Sequence, residues 1–513
     1  MLNVCVIGAG ASGLVAMKEL KDEGHRVTCF EKYPQEGGVF YYSKNKGGVY
    51  DSTLLTISNY FMAFSSLPPE EVERKYWTHT EYADYLKKFA KKFDLLKHMQ
   101  FETTVLSVEV KEKVIVEIEQ NGTKEFRTFD AIAICTGTHQ KAKYPELKDQ
   151  HLFKGQILHS ENYKNAQGFA NKKVVCVGMG ESAAEIVHEI AQVASECTLS
   201  IRQYPTVVPR YHDQHTNDAF TSRIYHYIPT RLLNPLIKWG AKKIIKTTKD
   251  PIVKLTWEWG LKCGGMLNIF LTKNEIFLHD INENKLQVNT SGIQKLSEKG
   301  VMFNDNTHID ADIIMCNTGY QDDFSFLKGI SFKNVKDLYK HAFHPELEKK
   351  VAFIGWARPA VGGVPPCSEM QSRYFALLCS DKRSLPDKAK LYQSIAHDEK
   401  FEEERFRLSC NIPSLVHYTG YMDSMAKLIG CMPPKFLLFR NPKVVAKIVF
   451  GSQISNQYRL TGPHSDPVIA KEVISKLPIA WGLKLSVQLA MVLAVAKCLE
   501  FFKIIKRDLK YRP

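Results

Sequence analysis

The chain opens with Leu2-Asn3-Val4-Cys5-Val6-Ile7-Gly8-Ala9-Gly10-Ala11-Ser12-Gly13, an apolar run that passes directly into closely spaced glycines. This pattern predicts a strand, a tight turn and a helix, and a second apolar run over 26–30 completes a β-α-β unit. The first two glycines let the backbone approach a pyrophosphate, and the third lets the helix pack on the strand. The stretch therefore predicts a dinucleotide-binding unit.

Glu31 follows the second predicted strand of this unit, 18 residues beyond Gly13. A carboxylate at this position accepts hydrogen bonds from both ribose hydroxyls and repels a 2′-phosphate. The first unit is therefore predicted to bind FAD or NAD rather than NADP. A glycine turn that serves only packing is the structural alternative.

A second unit of the same kind is predicted over 173–201, with a strand over 173–177, a helix over 182–193 and a strand over 197–201. Its glycine turn has the form Gly178-x-Gly180-x-x-Ala183, and Ser182 opens the predicted helix. The ribose position has no acid, and Ser200 and Arg202 lie there instead. A guanidinium binds a 2′-phosphate through two hydrogen bonds, so this unit is predicted to bind NADPH and the first one FAD. An exposed arginine without a ligand is the alternative for Arg202.

Two further apolar strands each end in a Thr-Gly turn, at Thr136-Gly137 and Thr318-Gly319. Glycine is needed where the backbone passes close to a ring system or adopts positive φ. Both turns are therefore predicted to lie beside the cofactors, although each by itself is also typical of an ordinary strand end.

Composition narrows the class of protein. The 513 residues carry a net charge of +14, with 44% hydrophobic and 24% charged residues, as in a globular enzyme of several domains. No basic stripe interleaved with aromatics is present, so nucleic acid is not a predicted partner.

The 12 cysteines contain no C-x-x-C pair, and His212 and His215 have no third ligand at helpful spacing, so no metal site is predicted. The N-terminal run passes straight into a glycine turn, and no signal peptide is expected.

The segment Phe153-x-Gly155-x-x-x-His159-x-x-x-Tyr163, just before the second glycine turn, resembles the identifying sequence of the flavin-containing monooxygenases. The order of the two glycine motifs around it fits that family. Residues 90–97, 371–373, 421–423 and 450–463 resemble stretches of the animal microsomal members. The resemblance runs from residue 1 to about residue 465.

The resemblance implies an α/β fold with two Rossmann-like dinucleotide-binding domains and a C-terminal hydrophobic or amphipathic helix. The FAD-binding domain would comprise 1–150 and 326–470, interrupted by an NADPH-binding domain over 151–325 with an insertion at about 210–275. Residues 478–513 would form a membrane-associating helix. Gly37, Gly38 and Gln371 join the predicted cofactor-binding residues through this resemblance.

The resemblance also implies the reaction. NADPH reduces FAD, O2 adds at the flavin C4a position, and a small amine or sulfide attacks the resulting hydroperoxide. A Baeyer–Villiger reaction on ketones is an alternative, although Tyr163-Lys164 stands where those relatives typically have tryptophan followed by proline or aspartate. An uncoupled NADPH oxidase that releases H2O2 and a non-catalytic flavin-fold protein are further alternatives.

Positions 56 and 181 both depart from the family pattern. Thr56 stands where the family has an asparagine that helps to hold the flavin intermediate and NADP+, and Asn59 lies three residues further on. We predict catalytic roles for Thr56 and Asn59, with Asn59 compensating only if its loop is shifted. Glu181 occupies a position where asparagine is common, and we expect its side chain to point outward.

The tail contains an uncharged stretch over 485–496, followed by lysines and apolar residues alternating over 497–510 in the pattern of an amphipathic helix. Twelve residues are too few for a spanning helix, which needs about 20. We predict a monotopic anchor on the cytosolic face of the endoplasmic reticulum, with the organelle implied by the resemblance. A helix packed on the body, or in a homodimer interface, is the alternative.

Overall fold

The computed structural model describes residues 1–44, 47–330, 332–409, 411–434, 441–501 and 510–511. Two five-stranded sheets, each entirely parallel, form its centre. The first sheet has the spatial order Val351–Phe353, Ala131–Ile134, Asn3–Ile7, Arg26–Phe30, Met99–Gln100. The second sheet has the order Gln156–His159, Ile313–Cys316, Lys173–Val177, Glu196–Ser200, Gln287–Asn289.

Smaller sheets surround the two parallel ones. A four-stranded sheet consists of Leu327–Lys328, Thr103–Val110, Val114–Gln120 and Thr123–Phe129, and an antiparallel three-stranded sheet of Ile293–Leu296, Gly300–Phe303 and His308–Asp310. The remaining strands form pairs: Lys141–Ala142 with Tyr320–Gln321, Thr206–Val207 with Leu271–Thr272, Tyr211–His212 with His215–Thr216, Leu54–Ser58 with Tyr76–Thr78, and Arg358–Pro359 with Leu415–Val416.

The α-helices cover both parallel sheets and form the C-terminal part of the chain. Their bounds are Ala11–Asp22, Asn59–Met62, His79–Lys92, Glu181–Ala191, Arg223–His226, Thr230–Thr247, Pro251–Lys262, Ile276–Asn282, Val364–Cys379, Lys388–Arg405, Tyr418–Ile429, Pro442–Phe450, Pro467–Lys476 and Gly482–Phe501.

Several bounds differ from the sequence-based prediction. The sequence over 78–100 is typical of one helix, but the helix ends at Lys92, because Asp94 adopts a left-handed φ of 51° and the chain turns into the edge strand Met99–Gln100. The sequence of the insertion over 210–275 lacks clean periodicity, yet it forms two regular helices, Thr230–Thr247 and Pro251–Lys262. Pro235 lies inside the first of these helices. Few residues of this helix are buried, so its sequence shows little of the apolar periodicity that is typical of a core-facing helix.

The buried cores follow the two parallel sheets. One cluster fills the space between the first sheet, the helix Ala11–Asp22 and the helix Val364–Cys379. A second cluster joins the second sheet to the helix Glu181–Ala191 and to Trp259 of the insertion. Cys5, Cys29, Cys135, Cys176 and Cys316 are free and buried, as expected of cysteines inside apolar strand-like runs.

The tail helix Gly482–Phe501 packs on the body through part of its surface. Leu489 joins an apolar cluster with Ile224 and Leu233 of the insertion, and the Trp481 Nε1 donates to the carbonyl of Phe220 at 3.1 Å. No helix within the described ranges combines the length and apolarity that crossing a bilayer requires. Most of the predicted lysine-rich pattern after 497 falls on 502–509, which lie outside the described residues.

Candidate active site at the junction of the two sheets

The first glycine turn begins at the carboxyl end of the strand Asn3–Ile7. Gly8 has φ +97°, and its amide donates to the carbonyl of Phe30 at 2.8 Å. A Cβ on Gly8 would lie 2.7 Å from the carbonyl oxygen of Cys135, and a Cβ on Gly13 would lie 1.8 Å from that of Gly8. These contacts explain why glycine is required at both positions.

The second turn repeats this arrangement around Gly178. It has φ +93°, and its amide donates to the carbonyl of Ser200 at 2.9 Å. A Cβ there would lie 2.8 Å from the carbonyl oxygen of Asn317. Gly137 and Gly319 follow the strands that pack against the two turns, with φ of +77° and +75°. The two predicted Thr-Gly turns therefore occupy equivalent places in the two sheets.

Glu31 lies at the ribose end of the first turn. Its carboxylate accepts from the amides of Ala9 at 2.7 Å and Tyr33 at 2.9 Å. Gly37 and Gly38 return to this turn, and a Cβ on Gly38 would lie 2.8 Å from Gly10 Cα. Since an ionised carboxylate has about four acceptor positions, Glu31 keeps capacity for ribose hydroxyls.

The space beside the turns is open. A Cβ built on Gly137, Gly180 or Gly319 meets no heavy atom within 4 Å, in contrast to those on Gly8 and Gly178. The glycines that form the turns, Gly8 and Gly178, are therefore crowded by backbone atoms, whereas Gly137, Gly180 and Gly319 face open space. Together with Glu31, this arrangement fits FAD at the first turn and NADPH at the second.

The other predicted cofactor residues occupy different environments. Ala183 is buried, whereas Ser182 and Arg202 are exposed. Gln371 is fully buried, and its amide group accepts from Gly355 N at 2.9 Å and donates to the Tyr421 hydroxyl at 2.9 Å. Gln371 thus holds the loop after the strand Val351–Phe353, and its predicted contact with a cofactor stays a prediction.

The residues of the identifying segment brace the second sheet. A Cβ on Gly155 would lie 2.3 Å from the carbonyl oxygen of Asp312, and the Phe153 ring covers the same spot. His159 is buried, accepts from Glu161 N at Nδ1, and donates from Nε2 to the carbonyl of Gly319 at 3.0 Å. The Tyr163 hydroxyl donates to Glu189 at 2.5 Å. The segment therefore fixes the second Thr-Gly turn and the helix Glu181–Ala191.

Thr56 and Glu181 meet where the two units face each other. Thr56 lies beside the Glu181 carboxylate, and Lys273 Nζ lies 2.6 Å from Glu181 Oε1. Arg358 Nη2 lies 3.6 Å from Glu181 Oε2. Burial favours a raised pKa for Glu181, but Lys273, Arg358 and Thr56 outweigh it and lower the pKa below its ordinary value. The prediction that Glu181 points outward is wrong, because these two cations hold its carboxylate at the junction.

The side chain of Asn59 is hydrogen-bonded to a neighbouring loop. Its Nδ2 donates to the carbonyl of Glu73 at 3.0 Å, and its Oδ1 accepts from the amides of Tyr60 and Lys75. These bonds fix the loop before the strand Tyr76–Thr78. The predicted catalytic role of Asn59 therefore gains no supporting contact within the described part of the chain.

Sequence reasoning did not single out Lys273, Arg358 or His139. His139 follows the first Thr-Gly turn, and partial enclosure together with the charge of Arg358 lowers its pKa to about 4. Lys273 comes from the insertion and Arg358 from the short strand Arg358–Pro359, so no local motif unites them.

The insertion contacts the strand that carries Thr56. Arg210 donates to the carbonyls of Leu54 and Leu55, and the Asp218 carboxylate accepts from Ser58 N at 2.6 Å. His212 and His215 pair with each other in a short hairpin, and both rings contact Phe220 edge to face. In the part of the chain that the structure describes, the cluster with metal-ligand geometry is Glu19, Asp22 and His464, and Arg459 and Lys18 already neutralise its carboxylates.

This fold and site define an α/β oxidoreductase built on parallel sheets. A family profile described as flavin-binding monooxygenase-like matches residues 2–477. The chain belongs to this family, and it is an NADPH- and O2-dependent flavin enzyme with FAD and NADPH as its cofactors.

Relatives named for different activities match nearly the whole chain. It is 38% identical over 510 residues to a 4-hydroxybenzoate brominase (decarboxylating) of Pseudoalteromonas luteoviolacea, covering 98% of each chain. It is 32% identical over 487 residues to dimethylaniline monooxygenase (N-oxide-forming) 2 of Rattus norvegicus, covering 90% of this chain and 89% of the relative.

Solved structures share the fold. The S-allyl-L-cysteine S-oxygenase of Allium sativum superposes with a TM-score of 0.62 at 22% identity, covering 93% of this chain and 99% of the other. A cyclohexanone monooxygenase superposes with a TM-score of 0.63 at 16% identity, covering 84% and 98%.

Proposed function

We propose that this enzyme uses NADPH and O2 to oxidise bromide and thereby brominates a phenolic acid related to 4-hydroxybenzoate. The observation that carries the proposal is the charge of the junction, where Lys273 and Arg358 share the single carboxylate of Glu181. Such a site favours anions over the protonated form of a tertiary amine. The 38% identity to a brominase over 98% of both chains supports the same assignment.

Each of the two cofactors is assigned to one of the two predicted domains. We propose that 1–150 and 326–470 form the FAD-binding Rossmann-like domain and 151–325 the NADPH-binding one. The strand Val351–Phe353 supports this division, because it joins the sheet of the first glycine turn. FAD held by the first of these domains would accept a hydride from NADPH and activate O2. The residues of the chain bind and orient the partners and keep water from the junction.

The overall reaction balances without a further reductant. One NADPH, one O2, one bromide and two protons convert an aromatic C–H bond into C–Br, and the products are NADP+ and two molecules of water. NADPH and bromide are oxidised, and both oxygen atoms are reduced to water. When a carboxylate leaves in place of the ring proton, CO2 is released and one more proton is consumed.

The experiment follows NADPH consumption and product mass with 4-hydroxybenzoate in the presence and absence of bromide. We expect bromide-dependent products that carry the two-isotope pattern of bromine. Bromide-independent NADPH consumption with H2O2 as the sole product would contradict the proposal, and it would favour the uncoupled oxidase.

Oxygenation of an amine or sulfide is the second candidate. It is supported by the 32% identity to an N-oxide-forming monooxygenase over 90% of this chain. The same assay with dimethylaniline and a neutral dialkyl sulfide decides between the two. An N-oxide or sulfoxide formed without bromide, and no brominated phenol, would establish this candidate instead.

A monotopic membrane contact remains part of the proposal, with the endoplasmic reticulum as its location and the catalytic body in the cytosol. Trp239 is 69% exposed on the helix Thr230–Thr247, and Met491 is 56% exposed on the tail helix. The first of these helices also carries lysines, a combination typical of helices that lie on anionic lipid. Replacing Trp239 and Met491 with glutamate should abolish co-sedimentation with phosphatidylserine vesicles. Unchanged co-sedimentation would contradict the proposal, and monomeric variants of a dimeric wild type would indicate a homodimer interface instead.

A further inference from the structure

Arg358 is held rigidly at the junction. It lies in the short strand Arg358–Pro359, and its backbone amide donates to the carbonyl of Ser414 at 2.8 Å. The guanidinium carbon lies 4.4 Å from the centre of the Phe270 ring, in a cation–π contact. This contact occupies one face of the guanidinium and leaves its edges, which carry the N–H groups, for other partners.

Those N–H groups form an ion pair with Glu181 but no hydrogen bond within the described residues. The nearest carboxylate oxygen, Glu181 Oε2, lies 3.6 Å away, which is beyond hydrogen-bonding distance. The side chain is 33% exposed, so a ligand entering the junction can reach it. A guanidinium with a free edge matches the two oxygens of a carboxylate.

The cations outnumber the carboxylates in the group formed by Lys273, Glu181 and Arg358. Lys273 is only 3% exposed, and Glu181 is its partner at 2.6 Å. Arg210, a neighbouring cation, is paired with Glu185 and also lies near the carboxylate of Glu275. Arg358 is therefore the cation of this group that has no carboxylate oxygen at hydrogen-bonding distance.

We propose that Arg358 binds the carboxylate of the aromatic acid, that Lys273 supplies a second positive charge, and that Glu181 weakens binding by competing for both. The assignment rests on the proposed function, which provides the acid. It identifies Arg358 as the residue that distinguishes an aromatic acid from the corresponding neutral phenol.

The test measures equilibrium binding to the FAD-loaded enzyme, followed by the change in flavin absorbance. The probes are 4-hydroxybenzoate and its neutral methyl ester. Arg358→Gln should weaken binding of the acid about 10- to 100-fold, the loss expected for a charge-assisted hydrogen-bonded pair. Arg358→Lys, which keeps the charge but loses the fork, should give an intermediate loss. Binding of the ester should change little in either variant.

The substitution Glu181→Gln should change the affinity for the acid in the opposite direction. Removing the competing carboxylate should tighten binding of the acid, whereas general damage to the site would weaken it. Arg127→Gln serves as the matched control, because Arg127 is an exposed arginine in the strand Thr123–Phe129. If the Glu181 variant does not fold, the graded response of the two Arg358 variants decides.

Equal binding of the acid by wild type and Arg358→Gln would overturn the inference and leave the brominase proposal intact. A raised KM for NADPH with unchanged acid binding would also overturn it, since Arg358 would then serve the nucleotide. Failure of the proposed function has a different signature, because wild type would then form no brominated product, whichever way it binds the acid.

Discussion

At the residue scale, Thr56 and Glu181 set this chain apart from the flavin-containing monooxygenase pattern, in which asparagine is typical of both positions. The threonine hydroxyl offers one hydrogen-bond donor, and it lies beside Glu181, whose pKa it helps to lower. An asparagine amide has two N–H donors and a longer reach. The chain therefore replaces neutral amides by a hydroxyl and a charged carboxylate flanked by Lys273 and Arg358.

The substitution Thr56→Asn tests this difference. The asparagine amide can donate one N–H to Glu181 and direct its second N–H toward the cleft. We therefore expect the amount of H2O2 released per NADPH consumed to fall by about two- to tenfold. The measurement compares peroxide release with NADPH consumption at saturating substrate. Ser52→Asn, at an exposed position just before the strand that carries Thr56, is the control. An unchanged ratio would show that position 56 does not govern coupling.

Arg202 is the second residue that a single substitution tests. It is exposed at the end of the strand Glu196–Ser200, where the first sheet has Glu31. If Arg202 binds the 2′-phosphate, Arg202→Ala should raise the KM for NADPH by at least about tenfold and leave that for NADH nearly unchanged. Equal effects on both nucleotides would contradict the assigned role.

At the scale of elements, the tail is attached to the body at both ends of its helix. Trp481 precedes the helix and bonds to Phe220 and Ser222, and Tyr511 lies beyond it in a buried aromatic site. The Tyr511 hydroxyl donates to Glu402 at 2.7 Å and accepts from His417 N at 3.1 Å. The alternative of a helix packed on the body thus describes part of the tail, and an exposed face is left for another partner.

Tyr511→Ala is expected to destabilise the protein. Removing a buried aromatic side chain typically costs about 3–5 kcal/mol, so the thermal midpoint should fall by several degrees. Tyr392→Ala, at an exposed tyrosine that also bonds a glutamate, should change it little. A midpoint that is the same in both variants would mean that Tyr511 contributes nothing to the fold.

At the scale of the whole molecule, a buried polar network joins the insertion to the C-terminal helices. Arg223 pairs with Asp423, and His226 Nδ1 lies 3.3 Å from His417 Nε2. Burial and Arg405 lower the pKa of His226 to about 3, and burial lowers that of His417 well below its ordinary value. Both rings are therefore neutral in the folded enzyme near neutral pH.

This network predicts a pH dependence of stability. In the unfolded chain His226 binds a proton below about pH 6.5, whereas in the folded enzyme it does so only near pH 3. Stability should therefore fall as the pH drops through this window, by up to about 1.4 kcal/mol per pH unit for one histidine. His226→Asn should flatten the fall in thermal midpoint between pH 6.5 and 4.5. His212→Asn, in the exposed hairpin, should leave the fall unchanged. If the thermal midpoint falls equally with pH in the wild type and in both variants, the assignment to His226 is refuted.

The sequence predicted the elements whose signal is local. The strands Arg26–Phe30 and Lys173–Val177 appear with the predicted bounds, because an apolar run between turn residues is a short-range pattern. It did not predict the helices of the insertion, and it placed Glu181 outside the site. Contacts from residues more than 90 positions away, such as Lys273, decide where that carboxylate points.

The sequence by itself determined the two glycine turns, the acid and the arginine that follow their second strands, and hence the family and its cofactors. These features depend on backbone geometry that only particular residues permit, so they can be read locally. Tertiary structure alone decided what fills the space between the turns. Thr56, Glu181, Lys273 and Arg358 come from four separate parts of the chain, and their charges act on one another only because the fold brings them within a few ångströms.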